Sequence, residues 1–245
     1  MSALEIVGLK KSFGGLPALA DVALSVAEGE RRLLIGPNGA GKTTLFNAIT
    51  GEIAPDAGEI RMFGNDVSRL PVPRRVALGL GRTYQIITLF PKDTLVANVI
   101  LSLLGRKRLR WNMFATLSRR GDLRETACDT LAKVGLEPKR DLPVHALSYG
   151  EKRRLEIAMA LAQAPRLLLL DEPLAGLSQD ERLSVQALLA SIPRDVTIVM
   201  IEHDMDVALS FAERITVLHY GKVIVEGTRS EVVADARTKE VYLGQ

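Results

Sequence analysis

Gly36-Pro37-Asn38-Gly39-Ala40-Gly41-Lys42-Thr43-Thr44 fits the pattern G-x-x-x-x-G-K-[ST]. Before it, Arg31-Arg32-Leu33-Leu34-Ile35 reads as a short buried strand. After it, Thr44-Leu45-Phe46-Asn47-Ala48-Ile49 reads as a helix. The loop therefore sits where a strand hands over to a helix N-terminus, the setting this motif requires. Its glycines let the backbone fold tightly and turn N–H groups toward phosphate oxygens. The helix start adds unpaired donors and positive potential. In this reading Lys42 reaches the terminal phosphates and the Thr43 hydroxyl ligates Mg²⁺. A match of this length also arises by chance, so the reading depends on what else the chain carries.

The 245 residues are enough for one large domain or two small ones. A formal net charge of +3 is too weakly basic to argue for nucleic acid. Cys128 is the only cysteine, which excludes an internal disulfide and fits a reducing cytosol. No apolar run approaches the roughly 18 residues that span a bilayer. Met1-Ser2-Ala3-Leu4-Glu5-Ile6 has an early acid and no apolar core, so a secretory leader is not expected.

Strand-like stretches at Leu4–Leu9, Val22–Val26 and Gly58–Gly64 predict three antiparallel strands near the N-terminus. Leu167–Leu170 and Val196–Ile201 are continuous apolar runs, as in parallel strands buried on both faces. Helical stretches separate them, so the fold class is α/β, mostly parallel. Tyr220-Gly221 between two apolar runs is a hairpin signal. The middle of the chain is mostly helical, with amphipathic patterns at Leu95–Leu104 and Arg124–Val134.

Leu167-Leu168-Leu169-Leu170-Asp171-Glu172 ends a buried strand abruptly in acids. Ligands of α/β sheets bind at the carboxyl ends of strands. Asp171 there can hold Mg²⁺ directly or through water, and Glu172 can face the attacking water as general base. Acids also end strands simply by turning the chain, and Pro173 marks such a turn. Ser148 and Glu151 make an S-x-x-E capping box that opens a helix at about 152–163. That is a helix start, and the Ser148 hydroxyl and Gly150 backbone at such a start also suit an anionic phosphate. Both readings hold together. His145, His219 and Cys128 lack metal-like neighbours and read as structural. The basic run Arg106–Trp111 reads as a solvated helix face, with contact to a membrane protein or lipid headgroups as the alternative.

With these stretches in order, the sequence resembles the ATP-binding subunits of ABC transporters. Gly36–Thr44 resembles their Walker A motif, Leu147–Glu151 their signature, and Leu167–Glu172 their Walker B strand. Gln85 matches the Q-loop glutamine, His203 the switch histidine, and Phe13 the aromatic that stacks on adenine. Gly176-Leu177-Ser178 falls at the D-loop. The resemblance is nearer still to importers of branched-chain amino acids, urea and amides, through Phe13-Gly14-Gly15-Leu16, Thr44–Gly51, Arg82-Thr83-Tyr84-Gln85 and Tyr242-Leu243-Gly244. Tyr149 and Ser178 depart from the wider superfamily, which has glycine and aspartate there.

The resemblance implies a single domain over 1–245, with an α/β core at about 1–90 and 163–245 and a helical subdomain at about 91–162. It implies ATP and Mg²⁺, with Phe13, Gly36, Pro37, Asn38, Gly39, Ala40, Gly41, Lys42, Thr43, Thr44, Ser148 and Gly150 around the nucleotide. Thr43, Gln85 and Asp171 would hold the metal, and Glu172, His203 and Gln85 would serve the chemistry. Implied partners are membrane permease subunits, a second ATP-binding subunit (the same chain or a similar one), and indirectly a solute-binding protein, but no nucleic acid. The subunit would be cytoplasmic, peripheral on the inner face of the membrane. Exporters, lipid transporters and soluble ABC proteins acting on nucleic acid are the rival assignments. Ile86, Leu89 and Phe90 are unusually apolar for a loop, and the resemblance makes them a docking cleft for the permease.

Overall fold

The computed structural model describes residues 1–84, 89–106, 120–202 and 211–243. Gln85, Ile86, His203 and most of the basic run lie outside the described residues. The chain forms two compact units, Met1–Arg82 with Arg166–Glu172 and Pro193–Gln245, and Thr83–Pro165 with Pro173–Ile192.

The first unit holds two sheets. β1 (Ser2–Phe13), β2 (Leu16–Ala27), β4 (Ala57–Met62) and β5 (Asn65–Asp66) pair antiparallel in the order β2-β1-β4-β5. These are the three expected strands plus β5; β1 and β2 run longer than expected, and β4 starts one residue early and stops two short. The second sheet joins β3 (Arg31–Ile35), β6 (Leu80–Arg82), β7 (Leu167–Asp171), β8 (Thr197–Ile201), β9 (Arg214–His219) and β10 (Lys222–Gly227), in the order β10-β9-β3-β8-β7-β6. Every neighbouring pair in it is parallel except β9 with β10. Tyr220-Gly221 turns that antiparallel pair, as its sequence predicts.

All residues of β3, β7 and β8 are buried, as the apolar runs Leu33–Ile35, Leu167–Leu170 and Ile198–Ile201 within them predict. β3 nevertheless opens on buried Arg31 and Arg32. Arg32 is satisfied by Glu30 at 2.5 Å, Thr216 at 2.8 Å and the Ser25 carbonyl at 2.9 Å. A buried guanidinium is tolerated only with such a full set of partners. α1 (Lys42–Thr50) follows the loop after β3, and α2 (Val72–Ala77) precedes β6. Leu45, Phe46, Ala48 and Ile49 of α1 join one core with Leu4, Ile6, Leu24, Ile60, Leu169 and Val199. That core fixes α1, and so the loop at its start, against both sheets. α7 (Arg229–Ala234) and α8 (Ala236–Leu243) close this part of the chain.

The second unit packs α3 (Leu95–Arg106), α4 (Arg120–Lys133), α5 (Tyr149–Ala162) and α6 (Gln179–Ser191). Leu95, Val99 and Leu103 bury one stripe of α3, and Leu123, Ala127 and Leu131 one stripe of α4. These are the two amphipathic patterns seen in sequence. The unit departs from the expected bounds at about 91 and 162 by beginning at Thr83 and including α6. Hydrogen bonds from the start of α5 to Glu181 tie α6 to it.

Candidate functional site

In the first unit the loop Gly36–Gly41 leads into α1 with Gly41 as N-cap, in left-handed backbone and without a side-chain cap. The first turn carries no acid. Its backbone donors are therefore not spent on a carboxylate, and the helix end favours an anion. Two glycines are sterically required. A Cβ at Gly36 would lie 2.1 Å from the Leu218 carbonyl, and one at Gly41 would lie 2.5 Å from the Ala18 carbonyl. β9 and β2 thus press on the loop from two sides. Lys42 is buried, its Nζ donating to the Gly36 carbonyl at 2.6 Å and the Pro37 carbonyl at 3.0 Å. Burial pulls the ammonium below its usual range, and the charges of Glu172 and Asp171 oppose that pull. Asn38, Gly39 and Thr43 are exposed, Pro37 and Thr44 half-buried, and Ala40 buried.

Asp171 ends β7 with its Oδ2 at 3.1 Å from Arg82 Nη2. Burial raises its carboxyl above the usual range, and Arg82 acts against the rise. Oδ1 is buried with no hydrogen-bond partner among the described residues. Such an oxygen is costly to leave unmade, and it suits a cation or its water shell. The donor set thus fits a hard divalent ion. Glu172 follows in left-handed backbone, φ 47°, with its N–H donating to the Ile201 carbonyl at 3.0 Å. Positive φ is uncommon outside glycine and gathers at functional sites. Here it breaks the strand alternation, so Glu172 does not have to take the face opposite Asp171.

Phe13 lies at the end of β1, half-exposed at 51%, with Lys11 Nζ 5.5 Å from its ring. It is not a core residue. β1 pairs with β2, the strand that touches Gly41 at Ala18.

Ser148 and Gly150 belong to the second unit. Ser148 caps α5 in the expected box with Glu151. Both Ser148 Oγ, at 3.0 Å, and Gly150 N–H, at 2.9 Å, also donate to Glu181 Oε1. The Gly150 N–H foremost, then the Ser178 N–H and the Ser148 hydroxyl, hold the Glu181 carboxyl down to about 2. A Cβ at Gly150 would come within 2.6 Å of Glu181 Cγ, so no other residue fits there without a shift. Ser178, the departure in the D-loop, caps α6 through its own box with Glu181. Tyr149 lies half-exposed over Gly176. In α5, buried Arg153 donates to the Tyr84 carbonyl at 3.1 Å and to Glu156 at 2.7 Å.

Sequence reasoning passed over Arg82 and Glu181. The pattern Ser178-x-x-Glu181 repeats Ser148-x-x-Glu151 and was legible as a second capping box. Nothing local marks the bonds that Glu181 makes 31 residues away. Arg82 stands inside the stretch quoted for the Q-loop, without a side-chain pattern to reveal its partners.

A strand, a glycine-rich loop with a buried lysine, and acids at the end of a parallel strand define a nucleoside-triphosphate hydrolase of α/β fold. The chain belongs to the ABC transporter family, whose model matches residues 19–175. It is 37% identical to the high-affinity branched-chain amino acid transport ATP-binding protein BraF of Pseudomonas aeruginosa, over 99% of this chain and 98% of that one. It is 36% identical to the lipopolysaccharide export system ATP-binding protein LptB of Acidithiobacillus ferridurans, over 98% and 96%. The crystal structure of the ADP conformation of an ATP-binding cassette of an ABC transporter superposes with TM-score 0.86 at 28% identity, covering 100% of both chains. The chain is an ATP-binding subunit with ATPase activity. Among the described residues no helix is long and apolar enough to cross a membrane.

Proposed function

We propose that this chain hydrolyses MgATP to drive import of branched-chain amino acids or related small amides through separate permease subunits. It would sit on the cytoplasmic face of the membrane through those permeases and pair with a second ATP-binding subunit. The chemical part is supported by one arrangement: a loop closed by required glycines around buried Lys42, in the same unit as Asp171, whose buried Oδ1 has no hydrogen-bond partner among the described residues. The transport part is supported by full-length likeness to BraF.

In this mechanism the loop N–H groups and Lys42 take the β- and γ-phosphates. Asp171, with Thr43 and Gln85, would hold Mg²⁺, which supplies charge neutralisation across the phosphates. Glu172 accepts a proton from water as the water oxygen bonds to the γ-phosphorus and the bond to ADP breaks. His203 would orient the γ-phosphate and water. Ser148 and Gly150 of the second subunit would complete the phosphate's donors only by giving up Glu181 Oε1, which both engage here, and Phe13 would stack on adenine.

Lys42→Ala removes a charge-assisted phosphate contact, worth about 1.5–3 kcal/mol. Its affinity for ATP, by calorimetry or a fluorescent analogue, is expected to fall roughly ten- to hundredfold. Unchanged affinity would remove the loop from the nucleotide site. For the cargo, the subunit is combined in proteoliposomes with permease subunits that co-purify with it and with a solute-binding protein. Uptake of radiolabelled leucine that Lys42→Ala abolishes supports import. The likeness to LptB favours a second reading, lipid export, and ATPase stimulation by lipopolysaccharide with no leucine uptake would select it.

Phe13→Ala is expected to weaken ATP by about 1–3 kcal/mol, the worth of one aromatic–base stack. Because the ring is half-exposed, the melting temperature without nucleotide is expected to hold. A large fall in melting temperature with ATP affinity kept would assign Phe13 to packing instead.

A further inference from the structure

Arg82 ends β6, the edge strand of the second sheet, in register with Leu169 of β7. Its side chain is only 7% exposed. Nη1 donates to Asn47 Oδ1 at 2.7 Å and lies 3.3 Å from both Thr50 Oγ1 and Glu52 Oε2. Nη2 donates to Asp171 Oδ2 at 3.1 Å. The guanidinium carbon sits 5.8 Å from the centre of the Phe46 ring. Asn47, Thr50 and Phe46 all belong to α1, the helix that Lys42 and Thr43 begin. One planar cation therefore spans from the loop's helix to the acid at the end of β7.

The span has a consequence for Asp171. Its Oδ2 is engaged by Arg82, while Oδ1 is buried with no hydrogen-bond partner among the described residues. A carboxylate pinned through one oxygen cannot rotate freely, so the other oxygen keeps a fixed direction. The donors that pin it are themselves fixed through α1, which also carries Thr43. We infer that Arg82 is a positioning residue for Asp171, setting the unengaged oxygen and the Thr43 end of α1 in register as one divalent-cation site. This rests on the proposed role of Asp171 toward Mg²⁺, and extends it to a residue that orients the ligand rather than supplying one. Residues that orient metal ligands from behind commonly matter nearly as much as the ligands.

Lysine keeps the charge of Arg82 but has one point of donation in place of a fork, so it cannot hold Asn47 and Asp171 together. Arg82→Ala would strip the partner from a buried carboxylate and is expected to cost stability. Arg82→Lys is therefore the informative variant, and Asn47→Ala the second, since it loosens the guanidinium at α1 and leaves its charge in place. The full-length subunit is titrated with a fluorescent ATP analogue in EDTA, then with Mn²⁺ in the presence of ATP, read by electron paramagnetic resonance. In Arg82→Lys the analogue's affinity in EDTA is expected to stay within about twofold, while Mn²⁺ affinity falls about 10- to 100-fold. Asn47→Ala is expected to shift Mn²⁺ in the same direction by less. A purely structural role would lower the melting temperature and both affinities together, and that result overturns the inference. So does Mn²⁺ affinity unchanged in both variants. Asp171→Asn serves as the reference. If it weakens Mn²⁺ and Arg82→Lys does not, this inference alone fails. If Asp171→Asn leaves Mn²⁺ affinity unchanged, the proposed metal role of Asp171 falls and takes the inference with it.

Discussion

Glu172→Gln is expected to bind ATP as the native chain does and to lose turnover by about 10²- to 10⁴-fold. The amide keeps the length and shape of the side chain and cannot accept the water's proton. Backbone geometry favours a clean result. Glu172 sits at φ 47° with its N–H held by Ile201, and glutamine meets the same strain as glutamate, so folding is not expected to change. Its charge acts on Lys42 together with that of Asp171. Removing one of two acids near the loop lessens the repulsion of an anionic phosphate, so ATP affinity is expected to hold or rise. With hydrolysis blocked, two subunits sharing ATP have no route to separate. Size-exclusion chromatography with light scattering should then show a dimer that depends on ATP and is missing with ADP. Single-turnover hydrolysis at the native rate would remove Glu172 from the role of base.

The parts of the fold that were legible in sequence are those whose burial is symmetrical. β7 and β8 lie between covered faces, so their positions are apolar but for Asp171 at the end of β7 and Thr197 at the start of β8. The loop and α1 were legible because glycine spacing and a lysine leave few other backbones possible. β6 was not legible. It is three residues long, contains a glycine and ends in Arg82, and its place in the sheet comes from pairing with β7. The same holds for Arg75, fully buried and donating to the Ala48 and Ile49 carbonyls at 2.6 and 2.7 Å. Those bonds finish the C-terminal carbonyls of α1, a job that sequence patterns assign to no distant arginine. Of the candidate site, the loop and the Asp171-Glu172 pair could be read directly, since each ends a run of apolar residues. Their common tie through Arg82 could not, because it joins Asn47, Arg82 and Asp171 across sequence gaps that no local period records.

Phe90→Asp in the assembled transporter is expected to abolish assembly or uptake while the isolated subunit keeps its fold and its ATP affinity. The ring is 53% exposed, so it contributes little to the core. The backbone beneath it is held independently. Asn98, fully buried in α3, accepts from Phe90 N–H at 2.9 Å and donates to its carbonyl at 3.2 Å. His145 N–H donates to the next carbonyl, that of Pro91, at 2.9 Å. These bonds involve no part of the Phe90 side chain and should survive its replacement. A half-exposed aromatic whose own backbone is pinned by Asn98, beside half-buried Leu89, is the kind of anchor that interfaces centre on. Loss of such an anchor costs about 2 kcal/mol or more, and a carboxylate in its place must also be desolvated against the partner's apolar surface. Three measurements separate docking from packing: melting temperature of the isolated variant, its ATP affinity, and co-purification with the permeases. Docking expects the first two unchanged and the third lost. A variant that melts well below the native chain would make Phe90 a packing residue, and one that assembles and transports normally would place the permease elsewhere.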